Sequence, residues 1–198
     1  MGLESRSVLT FILTIVSLLV LGITSNLGLR LRQKISMQGN KKLLVSKYLS
    51  DLVHITLVLL VIFFPIMLSY SFLVTPINLK ILILATLLLI TSNLAYGFSE
   101  MLVALDKIKT VGLFGISEIL LQLVFFYLAY NLIGTSLIIS VFLGFSISYL
   151  ISSSTTLMIS RQHIDLAAIF GNLKNKIRIP ELLDRESLAV SLPFIFMD

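Results

Sequence analysis

The sequence contains no cysteine, only two histidines, and just 13% charged residues. Without cysteine there is no disulfide framework, no thiolate metal site and no cysteine nucleophile. His54 and His163 lie on separate segments, which leaves no basis for a histidine metal centre. A soluble domain carries about 25% charged residues. This chain has about half of that, too little to coat a water-exposed surface, so a soluble enzyme is excluded. Also missing are a glycine-rich phosphate loop, an HExxH or GxSxG motif, and a carboxylate-rich diphosphate motif. The chain therefore reads as a non-enzyme that calls for no cofactor and no metal.

What it has in quantity is hydrocarbon: 57% of its 198 residues are hydrophobic, gathered into long uncharged runs. About 20 mostly apolar residues suffice to span a bilayer as a helix. Residues 7–29 carry no charge and place a first span at about 8–29. Residues 52–79 hold His54 as their one ionisable group, and Pro76 and Asn78 mark the exit of a second span at 52–73. Pro65 inside that span removes one backbone hydrogen bond and predicts a kink. The uncharged run 81–99 gives a third span at 81–101. Residues 119–160 are too long for one span, and their only turn chemistry is Asn131-Leu-Ile-Gly134-Thr135. That divides the region into spans at 111–131 and 136–160.

Residues 161–186 carry nine charges and Pro180 and read as a polar linker. Apolar residues return at 187–198, eleven or twelve positions that open a sixth span without completing it, so we expect the sequence to be a fragment; a surface-lying segment is the alternative. The fold expected is thus an all-α polytopic membrane bundle of five full spans plus a truncated sixth. The head before the first span holds both Glu4 and Arg6 and no small-x-small cleavage pattern follows, so that span reads as retained rather than as a signal peptide. Arg6 also breaks a myristoylation signal.

The net charge of +5 does not imply nucleic acid, because in a membrane protein basic loops report orientation. Between the first two spans lie Arg30, Arg32, Lys34, Lys41, Lys42 and Lys47. Lys107 and Lys109 follow the third span, and five more basic residues follow the fifth. These thirteen share one side, against Arg6 and Lys80 on the other. The positive-inside rule then sets the N-terminus outside and the segment after residue 160 in the cytoplasm of a cell-membrane protein.

Few residues carry candidate chemistry. Glu118 lies about two turns into the fourth span with Gln122 one turn on, and a carboxylate at that depth is costly unless it faces the bundle or a wet cavity. It reads either as a proton, cation or polar-substrate site or as an interhelical hydrogen bond. Ile-Thr-Ser-Asn-Leu occurs at Ile23–Leu27 and again at Ile90–Leu94. Asn26 and Asn93 could line a shared cavity, although such residues are also common glue between membrane helices. Arg30 and Arg32 could grip a pyrophosphate bidentately, or simply anchor to anionic head groups. Asp51 and His54, spaced i,i+3, read as a water-exposed helix start rather than a dyad.

Three local stretches resemble those of the prokaryotic polysaccharide exporters and O-antigen flippases of the multidrug/oligosaccharidyl-lipid/polysaccharide superfamily. Ser25-Asn-Leu-Gly28-Leu-Arg30-Leu-Arg32 resembles the family's exit from helix two. Glu100-Met-Leu-Val-Ala104-Leu-Asp-Lys107 resembles its helix four to five junction, and Ser191-Leu-Pro193 resembles the opening of helix seven. The resemblance implies family helices two to six plus the start of seven, equivalent to most of one lobe. It implies transport of a lipid-linked oligosaccharide or polysaccharide across the cell membrane, with membrane lipids, that substrate, and a second lobe or homodimer as partners. By the same resemblance, Arg30 and Arg32 would meet the diphosphate, while Asn26, Asn93, Glu118 and Gln122 would line the cavity. The rivals are a non-transporting membrane subunit or gene remnant, and a membrane-embedded glycosyl or prenyl transferase, for which Asp51, Glu100 and Asp106 are too scattered.

Overall fold

An uncharged segment in hydrocarbon must satisfy every backbone polar group within itself, and a helix does so. In the computed structural model, which describes residues 3–37, 40–165, 167–169 and 171, each charge-free run is mostly helical, with breaks at 74–78 and 133–136. The helices are α1 (Leu3–Met37), α2 (Lys41–Leu73), α3 (Leu79–Ala104), α4 (Ile108–Tyr127) and α5 (Leu137–Ser160). A π-helical turn, Leu128–Leu132, extends α4, and a 3-10 turn, Arg161–His163, extends α5. All five helices are long and apolar enough to cross a membrane. The protein is an all-helical, multi-pass membrane protein by architecture. The proposed sixth segment, 187–198, and most of the linker 161–186 lie outside the described residues.

The first two helices run well past their apolar stretches. At 1.5 Å rise per residue, the 35 residues of α1 and 33 of α2 each reach about 50 Å, against a hydrocarbon thickness of about 30 Å. The cause lies in the flanks: Arg, Leu, Gln and Lys are strong helix formers, and water satisfies their charges beyond the bilayer. Arg30 and Arg32 therefore stand on a helix rather than in a loop. Asn40 caps α2, its side chain accepting from the Leu43 amide at 3.3 Å, and Asn78 caps α3 through the Lys80 amide at 3.0 Å. Because α2 starts at Lys41, His54 is not at a water-exposed helix start; it is buried in the bundle. The helix also continues through Pro65. Gly134 takes a left-handed φ of +69° in the α4–α5 turn, where Thr135 closes back onto the Ala129 carbonyl through both its amide (3.2 Å) and its hydroxyl (3.0 Å).

α3 is the hub: it packs on α1, α2, α4 and α5, while α1 pairs with α2 and α5 with α4. Its centre is pinned by Asn93, which has no exposed surface. The Thr24 hydroxyl of α1 donates to Asn93 Oδ1, and Asn93 Nδ2 donates to Thr56 Oγ1 of α2 at 2.8 Å. Three helices thus meet at one amide. We expect Asn93→Leu to strip both bonds and cost about 1–2 kcal/mol, since an interhelical bond in a membrane protein is worth about 0.6 kcal/mol and rarely above about 1.7. Detergent unfolding of the variant beside the wild type measures this; an unchanged midpoint contradicts the tie.

The segment after α5 docks rather than hanging free. The Asp165 amide donates to Ser46 Oγ on α2 at 2.8 Å, and Ile164 and Ile169 pack against the core. The Asp165 carboxylate in turn accepts from the Ala167 and Ala168 amides at 3.1 and 3.3 Å, starting a new helical turn.

Candidate functional site

Four helices leave a gap at mid-height. α1, α3, α4 and α5 line a half-open pocket of about 250 Å³ whose wall includes Ser17, Ser92, Tyr96, Ser99, Glu118 and Tyr149 among apolar neighbours. α1 supplies Leu13, Val16 and Val20 as well as Ser17, and the half-exposed Leu21 stands at the rim. α4 contributes Glu118. Since α4 begins at Ile108, Glu118 stands nearly three turns from its start, about 15 Å along the axis.

Glycine makes the α4–α5 wall close enough to hold this group. A methyl at Gly144 would stand 2.9 Å from the Gln122 carbonyl oxygen and 3.0 Å from the Phe126 amide nitrogen, so the two backbones touch where that side chain is missing. The antiparallel register then pairs Phe126 with Gly144, Gln122 with Tyr149, and Glu118 with Ser152. The Glu118 carboxylate reaches the buried Ser152 hydroxyl, and the Tyr149 hydroxyl reaches Gln122. Among the described residues, none that lines the pocket is a lysine, arginine or histidine.

The basic end holds a second polar group. Arg32 of α1 forms a salt bridge with Glu100 of α3, whose side chain is only 15% exposed. Glu100 sits over Gly28, where an added methyl would come within 2.8 Å of its Cβ. Tyr96, one turn before Glu100, both contacts that carboxylate and lines the cavity, so the two polar groups adjoin. Tyr48 of α2 closes the layer below by donating to the Gly97 carbonyl at 2.7 Å.

The residues singled out by sequence thus scatter. Glu118 lines the cavity and Gln122 stands beside it. Asn93 is fully buried in the three-helix tie, and Asn26 turns onto its own helix, donating to the Gly22 carbonyl at 3.2 Å; neither lines the cavity. Arg32 is engaged with Glu100, and Arg30, half-buried and also partnered, stands half a turn before it. Sequence reasoning missed Tyr96, Tyr149, Ser99, Ser152 and the role of Glu100, whereas Ser92 belongs to the second Ile-Thr-Ser-Asn-Leu copy and does line the pocket. Tyrosines at mid-span, where an apolar residue is the default, were the available signal.

No family model, no curated protein and no solved structure matches this chain.

Proposed function

We propose that the chain is one lobe of a membrane transporter that flips a lipid-linked oligosaccharide, or exports a polysaccharide, across the cell membrane. The observation that supports this is the half-open pocket between four apolar helices, largely apolar but carrying the Glu118 carboxyl and several hydroxyl side chains in its wall. A space of about 250 Å³ holds a small polar group rather than an oligosaccharide, so passage requires a second lobe or second copy to complete the path. α4 carries the acidic wall and has no buried residue, which leaves it available to face such a partner. Two lobes rocking around a midplane site provide alternating access. The thirteen basic residues that the sequence assigns to one side support an orientation with that side in the cytoplasm and the N-terminus outside. There Arg30 and Arg32 would meet a diphosphate head group.

One observation favours the rival reading of a non-transporting membrane subunit: Arg32 is already neutralised by Glu100 and Asn93 is spent on holding helices together. Gene deletion separates the two. The transport reading expects lipid-linked intermediates to accumulate in the inner leaflet and surface glycan to fall at least tenfold, with wild type but not Glu118→Leu restoring it. Unchanged surface glycan after deletion contradicts transport and leaves the subunit reading.

A further inference from the structure

We propose that Lys41, Lys107 and His163 together form a binding site for a phosphate group at the basic end of the bundle. The three belong to separate elements: Lys41 opens α2, Lys107 stands in the α3–α4 turn, and His163 ends the turn that follows α5. The fold gathers them because the chain after α5 comes back onto α2. There the Asp165 amide donates to Ser46 Oγ at 2.8 Å, and the Ser46 hydroxyl in turn donates to the Lys42 carbonyl at 2.9 Å. His163 thereby lies within electrostatic reach of both Lys107 and Lys41.

Gathering like charges costs free energy unless a group of opposite sign joins them. The described residues supply none. The acids next to this cluster in the chain are Asp106 and Asp165; the Asp165 carboxylate is taken up by the Ala167 and Ala168 amides, and among the described residues neither acid pairs with Lys41, Lys107 or His163. His163 meets only the Gln162 side chain, at 3.2 Å. The backbone adds charge of the same sign. α4 starts after Lys107 with no side chain capping its first amides, whereas the Met101, Leu102 and Val103 carbonyls at the end of α3 are taken by the amides of Leu105, Lys107 and Asp106. One turn before His163, the Ser160 hydroxyl has no exposed surface and no partner among the described residues. Two ammonium groups, an imidazole and uncapped amides match a phosphate group, which offers several strong acceptor oxygens and a charge of about −1.5 to −2 near neutral pH.

The site rests neither on the flipping reading nor on Arg32, which Glu100 already engages. A lipid head group and free phosphate both present this chemistry, and one experiment separates them. The full chain in phosphatidylcholine nanodiscs is titrated with inorganic phosphate and followed by phosphorus NMR; a second set of nanodiscs carries a minor share of phosphatidic acid. Saturable binding is expected, at least fivefold weaker in Lys41→Gln and in Lys107→Gln, and unchanged in Lys80→Gln at the opposite end of α3. Saturation by inorganic phosphate supports the site with free phosphate as its source, and saturation by phosphatidic acid alone supports it with a lipid head group. Saturation by neither, or equal binding by all variants, overturns the site. A measurement on the wild type guards against misfolded variants, since the chain has only two histidines. Bound phosphate should raise the titration midpoint of His163 by at least about half a pH unit and leave buried His54 unmoved, because an adjacent negative charge favours the imidazolium. A His163 midpoint that ignores both phosphate sources overturns the proposal.

Discussion

Gly144→Leu is expected to push α4 away from α5 and to abolish whatever the cavity does. The first carbon of the new side chain would fall 2.9 and 3.0 Å from backbone atoms of Gln122 and Phe126. A backbone cannot rotate aside as a side chain can, so the helices must separate. Overpacking of this kind costs about 1–3 kcal/mol in a well-packed interior, and the rigid neighbours put this case at the upper end. The register would carry Glu118 away from Ser152 and Gln122 away from Tyr149. The control lies within α4: Gly112 and Gly115 have nothing within 4 Å of an added methyl, so Gly115→Leu should unfold like the wild type. Detergent unfolding of both variants reads the difference; equal midpoints contradict the contact.

Arg32→Ala is expected to destabilise the protein more than Glu100→Gln. Removing the guanidinium leaves the Glu100 carboxylate, 15% exposed, pressed over Gly28 without its Arg32 partner; removing the carboxylate leaves an arginine that is 38% exposed and can reach water. A broken, fully buried pair costs about 3–5 kcal/mol, and exposed pairs are worth at most about 1 kcal/mol. The partial burial here places Arg32→Ala at roughly 2 kcal/mol and Glu100→Gln at roughly 1 kcal/mol. The double variant should recover part of the loss. Additive single losses in the double-mutant cycle contradict a direct pair.

Much of the helical layout is legible from where charges are missing. The runs 7–29 and 81–99 each fall within one helix, 52–79 is helical as far as Leu73, and 119–160 breaks at 133–136, overlapping the expected Asn131–Thr135 turn, with Gly134 in the left-handed region that a glycine adopts freely. The helix ends are less legible. An apolar run stops at its first charge, but a helix stops only where capping or turn chemistry ends it, which is why α1 continues seven residues beyond Arg30.

The site is harder to see from the sequence. Asn26 and Asn93 occupy the same place in two copies of Ile-Thr-Ser-Asn-Leu, yet one bonds its own backbone and the other ties three helices. Sequence gives the phase of residues around each helix but not the rotation of one helix against its neighbours, and that rotation separates their roles. The pairing of Arg32 with Glu100, 68 positions apart, is hidden for the same reason. Glu118 could be picked out because a lone carboxylate in an apolar span is conspicuous by its cost. The hydroxyls around it could not, because serine and tyrosine in a membrane helix have many bland uses.

The most direct test of a wet, negatively charged cavity at mid-membrane uses the natural absence of cysteine, which makes any introduced thiol unique. Ser92→Cys would place one on the cavity wall, and Leu120→Cys one on the exposed apolar face of α4. In reconstituted membranes, a cationic water-soluble thiosulfonate should modify the Ser92→Cys protein at least tenfold faster than an anionic one, while the Leu120→Cys protein stays unreacted. Equal inertness of both variants, or faster reaction of Ser92→Cys with the anionic reagent, would contradict the account.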